Sequence, residues 1–222
     1  MAQIPDIQLE DNREIRTPVV LVLDGSTSMA GGPIDGLNSG LQLLESELKA
    51  DTKVRGRARV CVIRLGGNSE VDVLSDFIDV VDFTAPTVEA NGNTPLGAAM
   101  ELALDNIETE KGKLGAAGIS WTRPWIFVIS DGNPTDADFE ASADRCRIAC
   151  TDKKVAIFPI AVEGADTAVL GRLSDKPALA LDGLKFNELF QWLSNSVKTG
   201  SQTAAGDTVV LEPTSSWMTV EN

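Results

Sequence analysis

The chain has 222 residues, enough for one well-buried domain and short for two. Its 43% hydrophobic and 23% charged residues argue against long disorder. A formal net charge of −14 makes nucleic acid and anionic membrane poor partners, because their phosphates repel it.

The first strand is expected at Val19–Leu23, after a polar lead-in, and it stops at Asp24-Gly25-Ser26-Thr27-Ser28. Gly31-Gly32-Pro33 opens a helix whose apolar face is Ile34, Leu37, Leu41, Leu44 and Leu48 at helical spacing. Arg59–Leu65 and Val71–Val81 form strands on either side of a Gly66-Gly67-Asn68 turn, which predicts a hairpin. The loop Asn91–Pro95 feeds a second helix with Leu96, Met100, Ala103 and Ile107 inward, and the Gly/Ala-rich stretch 111–120 predicts a loose connector.

Pro124–Ile129 is the most apolar strand and stops at Ser130-Asp131-Gly132. A third helix aligns Phe139, Ala143, Cys146 and Cys150, with Asp136, Asp138 and Glu140 as acids favoured near its N-terminus. A strand at Val155–Val162, a short helix at Thr167–Leu173 and a short strand at Ala178–Leu181 follow. The last helix carries Phe186, Leu189, Phe190, Leu193 and Val197. The segment 199–207 predicts a linker leading to Val209-Val210-Leu211, a possible edge strand. Residues 1–16 are thus a lead-in, 17–199 the domain and 200–222 a linker and tail. Strands alternating with amphipathic helices imply an α/β fold: a mostly parallel sheet with helices on both faces.

Histidine and tyrosine are absent, which removes Ser-His-Asp and Cys-His catalysis and imidazole ligation together. No run reaches the ~18–20 apolar residues that span a bilayer, and the N-terminus lacks the pattern of a signal peptide. With an odd set of cysteines, Cys61, Cys146 and Cys150, a reduced cytoplasmic setting is expected. Cys146 and Cys150 lie on an apolar helix face and are expected in the core, a reactive thiol role being the minor alternative.

In open α/β sheets ligands bind at the carboxyl ends of the strands. Three such loops carry oxygen donors here: Asp24, Ser26 and Ser28; Thr94; and Asp131. Singly each has a plainer reading as a turn former or helix cap, Thr94 before Pro95 included. Together they form a hard-oxygen set suited to Mg²⁺, with Mn²⁺ or Ca²⁺ as alternatives.

At these residues the chain resembles the von Willebrand factor A (vWA) family. Its metal-ion-dependent adhesion site (MIDAS) is an Asp-x-Ser-x-Ser loop with a distant Thr and a distant Asp. The resemblance implies a three-layer, Rossmann-like fold of six strands with one antiparallel edge, and metal ligands Asp24, Ser26, Ser28, Thr94 and Asp131. The segments 33–41, 125–136 and 190–194 resemble small bacterial proteins of the TerY type, linked to tellurium resistance. That likeness implies a non-enzymatic adaptor, with a Ser/Thr kinase and a PPM-type phosphatase as partners and a partner's Asp or Glu on the ion. Thr27 departs from the glycine of many relatives, which stiffens the loop and leaves the ligands intact. The rival readings are a metal-dependent phosphotransferase with Asp24 as nucleophile, against which Ser26 stands where a second aspartate is usual, and a phosphorylation substrate through the Ser/Thr-rich segment 199–219.

Overall fold

The computed structural model describes residues 12–67, 70–131, 133–202, 214 and 218. Trp217, the expected strand at 209–211, Asn68, Gly132 and most of the tail lie outside the described residues. Among those described, six strands form one sheet: β1 (Thr17–Asp24), β2 (Ala58–Leu65), β3 (Val71–Asp79), β4 (Trp125–Ser130), β5 (Ala156–Ala161) and β6 (Leu179–Ala180). The order is β3-β2-β1-β4-β5-β6. All pairs are parallel except β2 with β3, so the expected hairpin supplies the antiparallel edge.

Among the described residues five α-helices cover the sheet: α1 (Gly32–Ala50), α2 (Leu96–Ala116), α3 (Phe139–Thr151), α4 (Thr167–Gly171) and α5 (Phe186–Gln202). Strand β1 is buried along its whole length, and successive side chains serve opposite faces. Val19, Leu21 and Leu23 join the core under α1 and α5. Val20 and Val22 join the core under α2 and α3. The apolar positions expected on α1 are all buried there; removing one such leucine from water is worth about 1.5–3 kcal/mol. On the same helix Gly36 and Gly40, one turn apart, admit the rings of Phe186 and Phe190. A Cβ at Gly36 would lie 2.6 Å from Phe186 Cδ2, so the two helices pack almost backbone to ring.

Two helices run longer than composition predicts. Helix α2 continues to Ala116 instead of loosening at Lys111, because Glu110 and Leu114 are buried and hold its last turns in place. Leu114 packs with Ile119 and Trp121 in a small cluster of its own. Helix α5 runs on to Gln202 through the glycine- and serine-rich stretch. Gly200 leaves room for the Trp125 indole, 2.5 Å from where a Cβ would stand, and the Ser201 carbonyl accepts from Arg57 Nη1 at 3.1 Å.

The two ends of the sheet differ in chemistry. At the amino end Arg16 and Arg59 are fully buried with Asp79 and Glu110. Arg59 Nε donates to Glu110 Oε1 at 2.5 Å and Nη1 to Asp79 Oδ1 at 3.1 Å, while Arg16 Nε lies 3.4 Å from Asp79 Oδ1. At the carboxyl end the chain leaves β1 for α1 on one face and leaves β4 for α3 on the other. This reversal opens a crevice at the tip of β1, the place where open α/β sheets bind ligands.

Candidate metal centre

Asp24 is the last residue of β1 and is fully buried at that crevice. Its Oδ1 accepts the Ser26 N–H at 2.8 Å, an Asx turn that forces the chain out of the strand. Its Oδ2 accepts the Ser130 hydroxyl, from the neighbouring end of β4. Ser28 Oγ donates to Asp131 Oδ1 at 2.9 Å, so at the 3.0 Å contact between the two serine hydroxyls Ser26 is the donor. Asp24, Ser26, Ser28 and Asp131 are therefore joined in one hydrogen-bonded chain that is buried at Asp24 and exposed at Ser28.

Thr94 enters through backbone ties. Asn91 N–H donates to the Gly25 carbonyl at 2.8 Å, and both Thr27 N–H and its hydroxyl donate to the Gly92 carbonyl at 3.1 and 3.0 Å. Here the threonine in place of glycine has a visible effect: it adds a second strap between the two loops. Gly92 has φ 78°, and a Cβ there would lie 2.7 Å from the Gly67 nitrogen, so only glycine lets the loops close. Thr94 is buried, and it does not cap the following helix: Pro95 takes the N-cap position of α2, without a capping side chain. Instead Thr94 N–H donates to Thr135 Oγ1 at 3.1 Å and its carbonyl accepts Thr135 N–H at 2.9 Å. The three loops expected from sequence thus converge, four of the five side chains in direct contact and Thr94 through its main chain.

Burial raises the pKa of Asp24; hydrogen bonds from Ser130 and Ser26 work against this, and the charge of Asp131 adds to the rise. Among the described residues neither Asp24 nor Asp131 forms an ion pair with Lys or Arg. The donors are thus two carboxylates and hydroxyls lacking a counter-charge, a set that fits a hard divalent ion. No cluster of three or more His, Cys, Asp or Glu suited to a metal occurs among the described residues.

Asp136 was expected to serve the dipole of α3. Its carboxylate instead accepts the Ala98 N–H of α2 at 2.9 Å. The signal for this was the proline at the start of α2, which leaves that helix short of a cap. The three thiols are free and buried, and burial pushes Cys61 and Cys146 up to about 12, which leaves them protonated and unreactive. No helix among the described residues is long and apolar enough to cross a membrane.

Residues 19–192 match the model of the von Willebrand factor type A domain. No curated protein matches the chain. Among solved structures it is similar to the vWF domain of the type V pili tip protein Mfa5 from Porphyromonas gingivalis: TM-score 0.65, 10% identity, 87% of this chain and 99% of that one. It is also similar to the pilus adhesin SpaC from Lactobacillus rhamnosus GG: TM-score 0.67, 11% identity, 84% of this chain but 31% of SpaC, so it spans under a third of that adhesin. The protein BatB from Bacteroides thetaiotaomicron gives TM-score 0.56 at 15% identity over 84% of this chain and 100% of that one. At such identities the likeness is one of fold.

Proposed function

The chain belongs to the von Willebrand factor type A family, and on that premise we propose that it is a non-enzymatic protein-binding module that works through a divalent ion. Asp24, Ser26, Ser28, Thr94 and Asp131 would hold the ion, with Mg²⁺ the best match to an all-oxygen set that keeps some water. When bound, the ion supplies an open electrophilic position for a partner's Asp or Glu. The observation that carries this reading is the continuous chain Asp24–Ser26–Ser28–Asp131, with carboxylates at both ends and, among the described residues, no cationic side chain paired to either.

The likeness of segments 33–41, 125–136 and 190–194 to TerY-type proteins extends the proposal. The partner is then a component of a cytoplasmic stress or tellurium-resistance complex containing a Ser/Thr kinase and a PPM-type phosphatase. The local attraction of the ion has to overcome the long-range repulsion between an acidic ligand and a chain of net charge −14. Titration calorimetry with Mg²⁺ tests the reading: the unchanged chain binds and Asp24→Ala does not. Equal heats, or none, in both proteins sink it. Capture of the kinase or phosphatase that is lost with EDTA tests the extension.

A further inference from the structure

Helix α2 begins without a cap of its own, since the residue at its N-cap is Pro95 and no side chain from that turn reaches its free amides. The missing acceptor comes from a distant part of the chain. Asp136 Oδ2, 38 residues on, takes the Ala98 N–H at 2.9 Å. A carboxylate there satisfies one free donor and meets the positive end of the helix dipole. The neighbouring Thr135 pairs with Thr94 in both directions, N–H to Oγ1 and carbonyl to N–H.

Two consecutive residues of the loop after β4 therefore clip the start of α2 and the threonine before it. The clip depends on Gly97. A Cβ at that position would lie 2.9 Å from Phe139 Cα and closer still to Asp136 Oδ2. The second oxygen of Asp136, Oδ1, is buried with no hydrogen-bond partner, so the Ala98 amide and the helix dipole are what fix the carboxylate.

We infer that Asp136 is a positioning residue of the metal centre: it seats the first turn of α2 and through it holds Thr94 in place, without itself being a ligand. This rests on the metal-binding reading above. Outer-shell partners of this kind are typically worth tenfold or more in metal affinity.

The test is Mn²⁺ titration of the full chain, well below the melting temperature of each variant. Asp136→Ala is expected to bind about tenfold more weakly. Asp136→Asn, which keeps an acceptor for the Ala98 amide, is expected to stay within about twofold of the parent. The decisive comparison is the Thr94→Ala background, where adding Asp136→Ala costs nothing further because its effect runs through Thr94. If Asp136→Ala does not fold, Gly97→Ala displaces the same carboxylate and is held to the same two expectations. A parent that binds Mn²⁺ while Asp136→Ala, or Gly97→Ala in its place, binds within about twofold of it, or a loss that adds in full to Thr94→Ala, overturns this inference alone. A parent that binds no Mn²⁺ overturns the metal reading, and this inference with it.

Discussion

Replacing Asp24 with Asn separates what the site costs the fold from what it does. Asp24 is fully buried, and burial together with Asp131 opposes its charge. Asparagine has the same shape. Its Oδ1 still accepts the Ser26 N–H, and its amide donates to the Ser130 hydroxyl, which turns from donor to acceptor. Only the charge is lost.

At pH 7 without metal the Asn variant is expected to be more stable by about 0.5–2 kcal/mol, a rise in Tm of about 1–8 °C for a chain of this length. The folded-state pKa of Asp24 lies above its ordinary value of 3.8, so the folded chain holds this proton more tightly than the unfolded one. The stability tied to the group is complete below that value and is lost as the pH rises through the raised folded pKa. The advantage of the variant therefore grows from nothing in acid to a plateau above that pKa. On the proposed metal-binding reading, Mn²⁺ at about 100 times its Kd is expected to stabilise the parent by about 2.7 kcal/mol, or about 5–11 °C, and to leave the variant unmoved. Thermal melts in EDTA and in Mn²⁺, taken from about pH 4 to 8, measure both effects. A variant that melts below the parent in EDTA, or gains the same increment from Mn²⁺, refutes the reasoning.

At the other end of the sheet, Arg59→Ala withdraws the guanidinium that contacts Glu110, Asp79 and the Phe77 carbonyl, all at 2.5–3.1 Å. Loss of a partner from a buried charge pair is expected to cost about 3–5 kcal/mol, read from urea unfolding; a loss under about 1 kcal/mol contradicts that role. The thiols of Cys61, Cys146 and Cys150 are buried, and all three are shifted upward by burial. Ellman's reagent is expected to label none of them quickly in the folded chain and all of them in urea, whereas fast native labelling of Cys146 would revive a thiol role.

Much of this arrangement is legible in the sequence because the signals are local. The period-2 alternation of β1 and the helical spacing from Ile34 to Leu48 each record which face a residue gives to the core. The site loops are legible for the same reason: a strand that ends in Asp-x-Ser-x-Ser turns where its carboxylate binds its own backbone, as Asp24 does with Ser26. What local signals miss are the long-range decisions. Composition loosens α2 at Lys111, yet buried Glu110 meets Arg59, 51 residues earlier in the chain, and keeps the helix wound. Composition likewise ends the last helix near Thr199, while Trp125 and Arg57 extend it from outside. Proximity in sequence points Asp136 to its nearest helix, whereas its carboxylate accepts from Ala98, 38 residues earlier.

The separation of the two ends of the sheet has a consequence in the cell. The buried Arg16–Arg59–Asp79–Glu110 group lies at the amino end, remote in the fold from the oxygen cluster at the tips of β1 and β4. A chain altered at Asp24 is thus expected to keep its folded surface. On the proposed binding function, a partner that also grips the helices is expected to recruit the Asp24 variant still, so such an allele is expected to compete with the intact protein, whereas a chain broken at Arg59 is expected to be cleared.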